Sequence, residues 1–258
     1  MQTCSPPFRV AAAIGKSRSR SVDHAKAQVT ARCYPGWVKS ADGPNVTATG
    51  WALLGVLSYQ DELTGYDIKK WTEWSLRFFY GSPAYSQIYT ELKKLENIGL
   101  VTSRVETDGG ARSKRLYKIT KAGLDALSDW ADQGPVDPPQ LKHNPLLRVT
   151  FGHLTNPRRL KEIMQDHVAY ADRMQREAAT EARWAEAEPA WAYGRVALQW
   201  AERYYAAERE LAQSVIKDLD AAEEAFAESA KSSEDGKPSL AKDYWYEIER
   251  RVRAEEGR

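Results

Sequence analysis

The chain has 258 residues, 42% of them hydrophobic and 28% charged, with a formal net charge of +1. That length can bury a sizeable core and leaves room for two domains, while so small a net charge excludes a whole-chain field that would by itself draw nucleic acid or membrane. Cys4 and Cys33 have neither metal-ligand spacing nor the number for a disulfide framework, which fits a reducing compartment. No apolar run reaches the roughly 18 residues of a membrane span, and MQTCSPPFRVAAAIGKSRSR makes a poor secretory signal, so the expected location is the cytoplasm, away from membrane.

Charge is unevenly spread along the chain. Residues 1–48 hold seven Lys/Arg against two Asp/Glu and no sustained period, and read as a disordered basic tail or an extension upstream of the natural start. Residues 49–133 hold eleven of each sign, and 134–258 hold nineteen basic against twenty-three acidic. Within the balanced middle, Arg104, Arg112, Lys114, Arg115, Lys118 and Lys121 face only Glu106 and Asp108, a local basic patch.

Periodicity begins at WALLGVLSY, where Trp51, Leu53, Leu54, Val56 and Leu57 suit a short buried helix. In the next segment Thr64 predicts an N-cap with Asp67 in the capping-box position, and Tyr66, Ile68, Trp71 and Trp74 form the apolar face. After LRFFYG comes SPAYSQIYTELKKLENIGLV. There Ser82 is the predicted N-cap and Pro83 the first helical residue, Ile88, Leu92 and Leu95 form the stripe, and Gly99 is the left-handed stop. LVTSRVET and RSKRLYKIT flank Asp108-Gly109-Gly110 and predict a hairpin. Thr120 then caps KAGLDALSDW, with Leu124, Leu127 and Trp130 as its expected buried face.

The expected fold is mainly α: a winged helix-turn-helix over 49–133 with a two-stranded wing, a proline-rich linker over 134–144, and a long-helix dimerisation domain over 145–258. In that last part Asn156-Pro157 and Pro189 each open a long helix, and Tyr244, Trp245, Ile248 and Val252, with Leu240 before them, stripe a third. Leu160, Met164, Leu198, Tyr205 and Leu211 are the expected dimer contacts, because two or three long helices have too little mass to cover their own apolar faces and must bury them against a second subunit or back on the helix over 51–59. The alternative is a self-contained antiparallel hairpin.

Convergent catalytic chemistry is not legible in the sequence. His24, His143, His153 and His167 are scattered, without an i, i+4 pair, and Gly109-Gly110 lacks what a phosphate loop needs, so the reading is not an enzyme, with no metal and no cofactor. His167, on an apolar stripe, reads as a packed, hydrogen-bonded residue. Nucleic-acid binding fits better. The second helix of a helix-turn-helix offers its N-terminal residues to base edges. Ser82, Ser86 and Gln87 are short polar groups suited to that work, and Tyr85 or Tyr89 can reach phosphate, although Tyr85 serves equally as a core contact. Arg112, Lys114 and Arg115 on the wing can reach an adjacent backbone.

GYDIKK, SPAYSQIYTELKKLENIGLV and SKRLYKITKAGLDAL resemble, in order and spacing, the winged-helix domain of PadR-like transcriptional regulators. Ser-Gln-Ile-Tyr and LRFFY resemble the AphA-like branch. LLRVTFG and YGRVALQWAERYYAAERELAQSVI resemble more weakly the helical C-terminal domain of the longer subgroup. The resemblance implies a homodimeric repressor on a pseudo-palindromic double-stranded DNA operator, in some members released by a small aromatic ligand. It puts Ser82, Tyr85, Ser86, Gln87 and Tyr89 in the recognition helix and Arg112, Lys114 and Arg115 in the wing. Among nine tryptophans, Trp51, Trp71 and Trp200 are candidates for an effector pocket, set against the plainer reading that they fill the dimer core. The balanced charge of 49–133 supports a second reading, a winged-helix protein-interaction adaptor without DNA contact.

Overall fold

A Thr-led turn starts the first helix: the Thr47 side chain accepts from the Gly50 amide, and α1 runs Ala48–Leu57 with Leu53, Leu54, Val56 and Leu57 buried. The structure, a computed structural model, describes residues 44–107, 113–136, 138–231, 241 and 243–256. The reading of 1–48 as a tail therefore lies, up to residue 43, outside the described residues, as do Asp108, Gly109, Gly110, Arg112 and Leu240. Among the described residues no helix is long and apolar enough to cross a membrane.

Strand β1, Leu63–Thr64, leads into α2, Gly65–Ser75. The predicted capping box is formed: the Asp67 amide donates to Thr64 Oγ1 at 3.1 Å and the Thr64 amide to Asp67 Oδ2 at 3.0 Å. Helix α3 spans Tyr85–Asn97 and buries Ile88, Leu92 and Leu95 as its period requires. Gly99, at φ +76°, stops it in the left-handed region. Strands β2, Val101–Thr107, and β3, Ser113–Ile119, pair antiparallel from Val101 opposite Ile119 to Thr107 opposite Ser113. The sheet is three-stranded, in the order β1-β3-β2, because Leu63 and Thr64 pair with Tyr117 and Leu116. Two residues carry too little alternation to announce a strand, so the third member was hidden in the sequence.

Helix α4, Lys121–Gln133, is capped by Thr120, but its inner face differs from the expected one. Leu127 packs on the core, whereas Leu124 is 45% exposed and Trp130, 42% exposed, stacks on Trp51 with ring centroids 5.2 Å apart. Gly123 explains the shift. Its Cα lies so near the end of α3 that a Cβ there would stand 2.2 Å from the Leu100 carbonyl oxygen. The helix is drawn in at its glycine instead of at its leucine.

After the proline-rich stretch come α5, Asn144–Thr150, α6, Pro157–Trp184, and α7, Ala192–Lys231; α8 covers Tyr244–Glu256. Helices α6 and α7 run antiparallel, since ion pairs join Lys161 to Asp220, Asp172 to Arg209 and Glu186 to Arg195 as one helix ascends and the other descends. Leu160, Met164, Leu198 and Tyr205 are at most 7% exposed inside this pair, with Ala171, Ala178, Ala201 and Ala212 between them. The self-contained hairpin is therefore present within one chain. The four expected dimer contacts are spent in covering it, and only Leu211, 62% exposed, remains uncovered. Small alanines let the two backbones approach.

At the root of the hairpin His143 and His167 meet Glu208, their Nε2 atoms 2.7 and 2.8 Å from Glu208 Oε1. His143 Nδ1 accepts from the Leu146 amide, capping α5, so its Nε2 carries the proton and donates to the carboxylate. Burial would raise the Glu208 carboxyl, but hydrogen bonds from His167 and His143 outweigh it and hold the group below its ordinary range. A carboxyl depressed by folding adds stability above its unfolded pKa and loses it as pH falls through the folded value. Glu208→Gln is expected to cost about 1.5–3 kcal/mol near neutrality, a penalty that shrinks in acid; chemical denaturation at both pH values measures it. Gly123→Ala is expected to cost roughly 1–3 kcal/mol by overpacking, whereas Gly55→Ala, where an added Cβ meets no atom within 4 Å, leaves the melting temperature unchanged or higher.

Candidate nucleic-acid interface

The apolar stripe of α3 decides what its other side can do. With Ile88, Leu92 and Leu95 fixed inward, Tyr85, Ser86, Gln87, Tyr89 and Thr90 are all exposed. The first turn is not built as the sequence suggested. Helix α3 starts at Tyr85 with Ala84 at the N-cap, and Pro83 is buried ahead of it. Gln87 supplies the cap, its Oε1 accepting from the Ala84 amide at 2.9 Å, so its amide nitrogen remains the group aimed outward. Ser82 stands before the helix and holds the α2–α3 connection: its hydroxyl accepts from Lys69 Nζ at 2.7 Å and lies 3.2 Å from Thr72 Oγ1. A Ser-Pro pair is a strong start signal, but here the proline ring went to the interior and the helix began two residues later.

Ser86 has no hydrogen-bond partner for its hydroxyl among the described residues, and Thr90, one turn on, donates to the Ser86 carbonyl. These two line a shallow hollow with Thr49 of α1, Gln87 and Glu91. Thr49 and Thr90 were missed by the sequence reading; Thr90 was findable at i+4 from Ser86, whereas Thr49 is brought there only by the crossing of α1 and α3. Tyr85 is 43% exposed and takes no core role. Tyr89 is 48% exposed, yet its ring lies across the start of α2, where a Cβ on Gly65 would meet it at 2.6 Å. On the same helix, α2, Lys70 Nζ sits over the Tyr66 ring, 4.9 Å from its centroid, a cation–π contact at the surface.

The basic patch is smaller than its composition suggests. Arg104 binds Glu62 in a two-pronged pair at 2.6 and 2.8 Å and also touches Glu106, and its hydrogen bond depresses the Glu62 carboxyl. Lys118 pairs with Asp61 and Lys121 with Asp125. Among the described residues Lys114 and Arg115 have no acidic partner, and Arg115 donates to Ser103 Oγ at 2.9 Å. Of the three expected wing contacts these two are exposed and available; Arg112 lies outside the described residues.

The suggested effector tryptophans do not come together. Trp51 stacks on Trp130; Trp71 lies with Tyr59, Trp74 and Trp191; Trp200 stacks on Tyr204 and meets Phe79 edge-on. Helix crossings, invisible in one dimension, sort them into three ring groups. His143, His167 and Glu208 are the one described set able to offer three metal-ligand atoms, far apart in sequence and so missed by spacing rules. As folded, the protonated His143 Nε2 makes that set a hydrogen-bonded cluster, and an ion there would have to displace a proton that Nδ1, already an acceptor, cannot take up.

Comparisons with known proteins agree with this geometry. Residues 53–129 match the transcriptional regulator PadR-like family. The negative transcriptional regulator PadR of Bacillus subtilis is 32% identical over 118 residues, which span 46% of this chain and 64% of that relative. Among solved structures, Bacillus subtilis PadR in complex with operator DNA superposes with a TM-score of 0.58 at 24% identity, covering 67% of this chain and 99% of that one. The same protein with p-coumaric acid gives 0.52 at 24%, over 66% and 98%. The Vibrio cholerae virulence activator AphA gives 0.52 at 26%, over 67% and 98%. The likeness thus takes in the winged helix and part of the long helices, and a third of the chain lies outside it. The match to the PadR-like family of transcriptional regulators thus lies in the winged helix of this chain, residues 53–129.

Proposed function

We propose that the protein is a sequence-specific repressor that binds a pseudo-palindromic operator as a homodimer. The observation that carries this reading is the exposed Tyr85–Ser86–Gln87–Thr90 face of α3, with the wing cations Lys114 and Arg115, which have no acidic partner among the described residues, in the same winged helix. Ser86 and the Gln87 amide are sized for base edges, while Tyr85 and the wing cations suit phosphate. Tyr89, resting on α2, contributes position before contact. The division of labour follows the expected boundaries, a DNA-binding domain over 49–133, a linker over 134–144 and a dimerisation domain over 145–258.

Support for the homodimer comes from a face the hairpin leaves uncovered. Tyr193, Val196, Trp200 and Leu211 are 87, 61, 51 and 62% exposed and recur along one side of α7. Leu147, Phe151 and Leu154, around α5, are exposed as well. A twofold pair of such chains presents two copies of α3, the arrangement that inverted half-sites require. A small aromatic effector belongs to the same reading because Bacillus subtilis PadR has been solved with p-coumaric acid; its seat is not the Trp51, Trp71 and Trp200 set.

Gel shifts on duplexes selected from random sequence test the proposal, and binding is expected to weaken steeply with salt as condensed counterions are released. Ser86→Ala with Gln87→Ala is expected to remove about 1–3 kcal/mol of discrimination per lost base contact, leaving the dimer intact by light scattering. Lys114→Ala with Arg115→Ala weakens binding to all sequences alike and lowers the salt slope. Adding p-coumaric acid is expected to lower operator affinity; an unchanged affinity removes that ligand from the reading. A protein that shifts no duplex at low salt is the adaptor instead.

A further inference from the structure

The connection between α2 and α3 is anchored in a core that is not its own. Ile88, Leu92 and Leu95 of α3 and Ile68 of α2 belong to the apolar cluster of the winged helix, together with residues of α1 and the sheet. Phe78, seven residues before α3 begins, belongs to the other cluster, with Ala171, Met174 and Ala178 of α6 and Leu198, Ala201 and Tyr205 of α7. The chain leaves the winged helix in the middle of its helix-turn-helix, plants a phenylalanine between the long helices, and returns.

Polar contacts fasten this excursion on both sides. The Tyr205 hydroxyl donates to the Phe78 carbonyl at 2.9 Å in a buried bond, and burial pushes that phenol up, so it stays a donor. Arg77 reaches Glu177 at 3.1 Å and Glu181 at 2.5 Å, both on α6, with its guanidinium over the Phe78 ring. Phe79 meets Trp200 of α7 edge-on. From there the chain re-enters the winged helix at once: Tyr80 Oη lies 3.2 Å from Thr49 Oγ1, Gly81 turns at φ +95°, and Ser82 is held by Lys69 and Thr72. Such a segment cannot move relative to α6 and α7 without pulling on the first turn of α3.

We propose that Arg77 and Tyr205 are positioning residues for DNA recognition: they lock the α2–α3 connection to the long helices and so set the angle at which α3 is presented. In a homodimer that angle, together with the twofold axis, sets the separation of half-sites that one protein can span. The proposal rests on the DNA-binding, dimeric reading given above. It assigns to residues that touch no DNA the choice of operator spacing.

The test compares wild type with Arg77→Gln and Tyr205→Phe on duplexes selected by the wild-type protein, cut to a half-site or carrying one to three inserted base pairs between half-sites. Half-site affinity is expected to be unchanged, full-site affinity to fall about tenfold, within the usual span of coupling between sites, and the preference for one spacing to flatten. Arg77→Lys, which keeps the charge, restores part of that preference. A loss shared equally by half-site and full site, with the spacing profile intact, is what a purely stabilising role gives, and it overturns the proposal; so does no change in either variant. Spin labels at Lys93 on α3 and Asp166 on α6, in protein with Cys4 and Cys33 replaced, read the joint without DNA, and their distance distribution is expected to broaden in both variants. A distribution that keeps its width overturns the joint, while a wild type that selects no duplex defeats the DNA reading alone.

Discussion

Burial of Ile88, Leu92 and Leu95 against the α1 and sheet residues fixes the rotation of α3, and most of the molecule's surface chemistry follows from that one constraint. Each of these side chains is worth roughly 1.5–3 kcal/mol when taken from water, so the helix cannot roll without forfeiting several of them together. What is left outside is therefore decided by what is held inside. Tyr85, Ser86, Gln87 and Thr90 are exposed because their neighbours three and four residues away are not.

The electrostatics of the winged helix sharpen the same surface. Six basic residues lie in 104–121, but Arg104, Lys118 and Lys121 are taken up by Glu62, Glu106, Asp61 and Asp125, three of which come from outside that stretch. Positive charge is thereby concentrated at Lys114 and Arg115, on the strand that the third member of the sheet supports from β1. A balanced total charge and a focused basic edge are compatible, since contacts at molecular range depend on the nearest unpaired groups.

The long helices do more in this architecture than cover one another. Their hairpin closes on itself through alanines and leucines, its root is tied by the His143–Glu208–His167 bonds, and its core admits Phe78 from the helix-turn-helix. The two apolar clusters are thus physically linked through the segment that leads into α3. Burial at that junction is tight: it pushes the Glu181 carboxyl up to about 7 against the pull of Arg77, so the pair gains its full ionic character on the alkaline side of neutral.

By itself the sequence determined the local elements: the Thr64–Asp67 capping box, the Ile88–Leu92–Leu95 stripe, the Gly99 stop, the paired strands and the Asn156 cap of α6 are all set by groups within a few residues of one another. The polar face of α3 was legible for the same reason, because a 3.6-residue period fixes both sides of a helix at once. Tertiary structure decided everything that depended on distant partners. It moved the start of α3 from Pro83 to Tyr85 by burying Pro83 and binding Ser82 to Lys69 and Thr72, turned Leu124 outward because Gly123 packs closest, and separated Trp51, Trp71 and Trp200 into different ring groups. It also spent Leu160, Met164, Leu198 and Tyr205 on the chain's own hairpin and brought His143 to His167 across Glu208. Local hydrogen bonds and periodicity are written over a few residues, whereas which face of one helix meets which face of another depends on packing the whole chain at once.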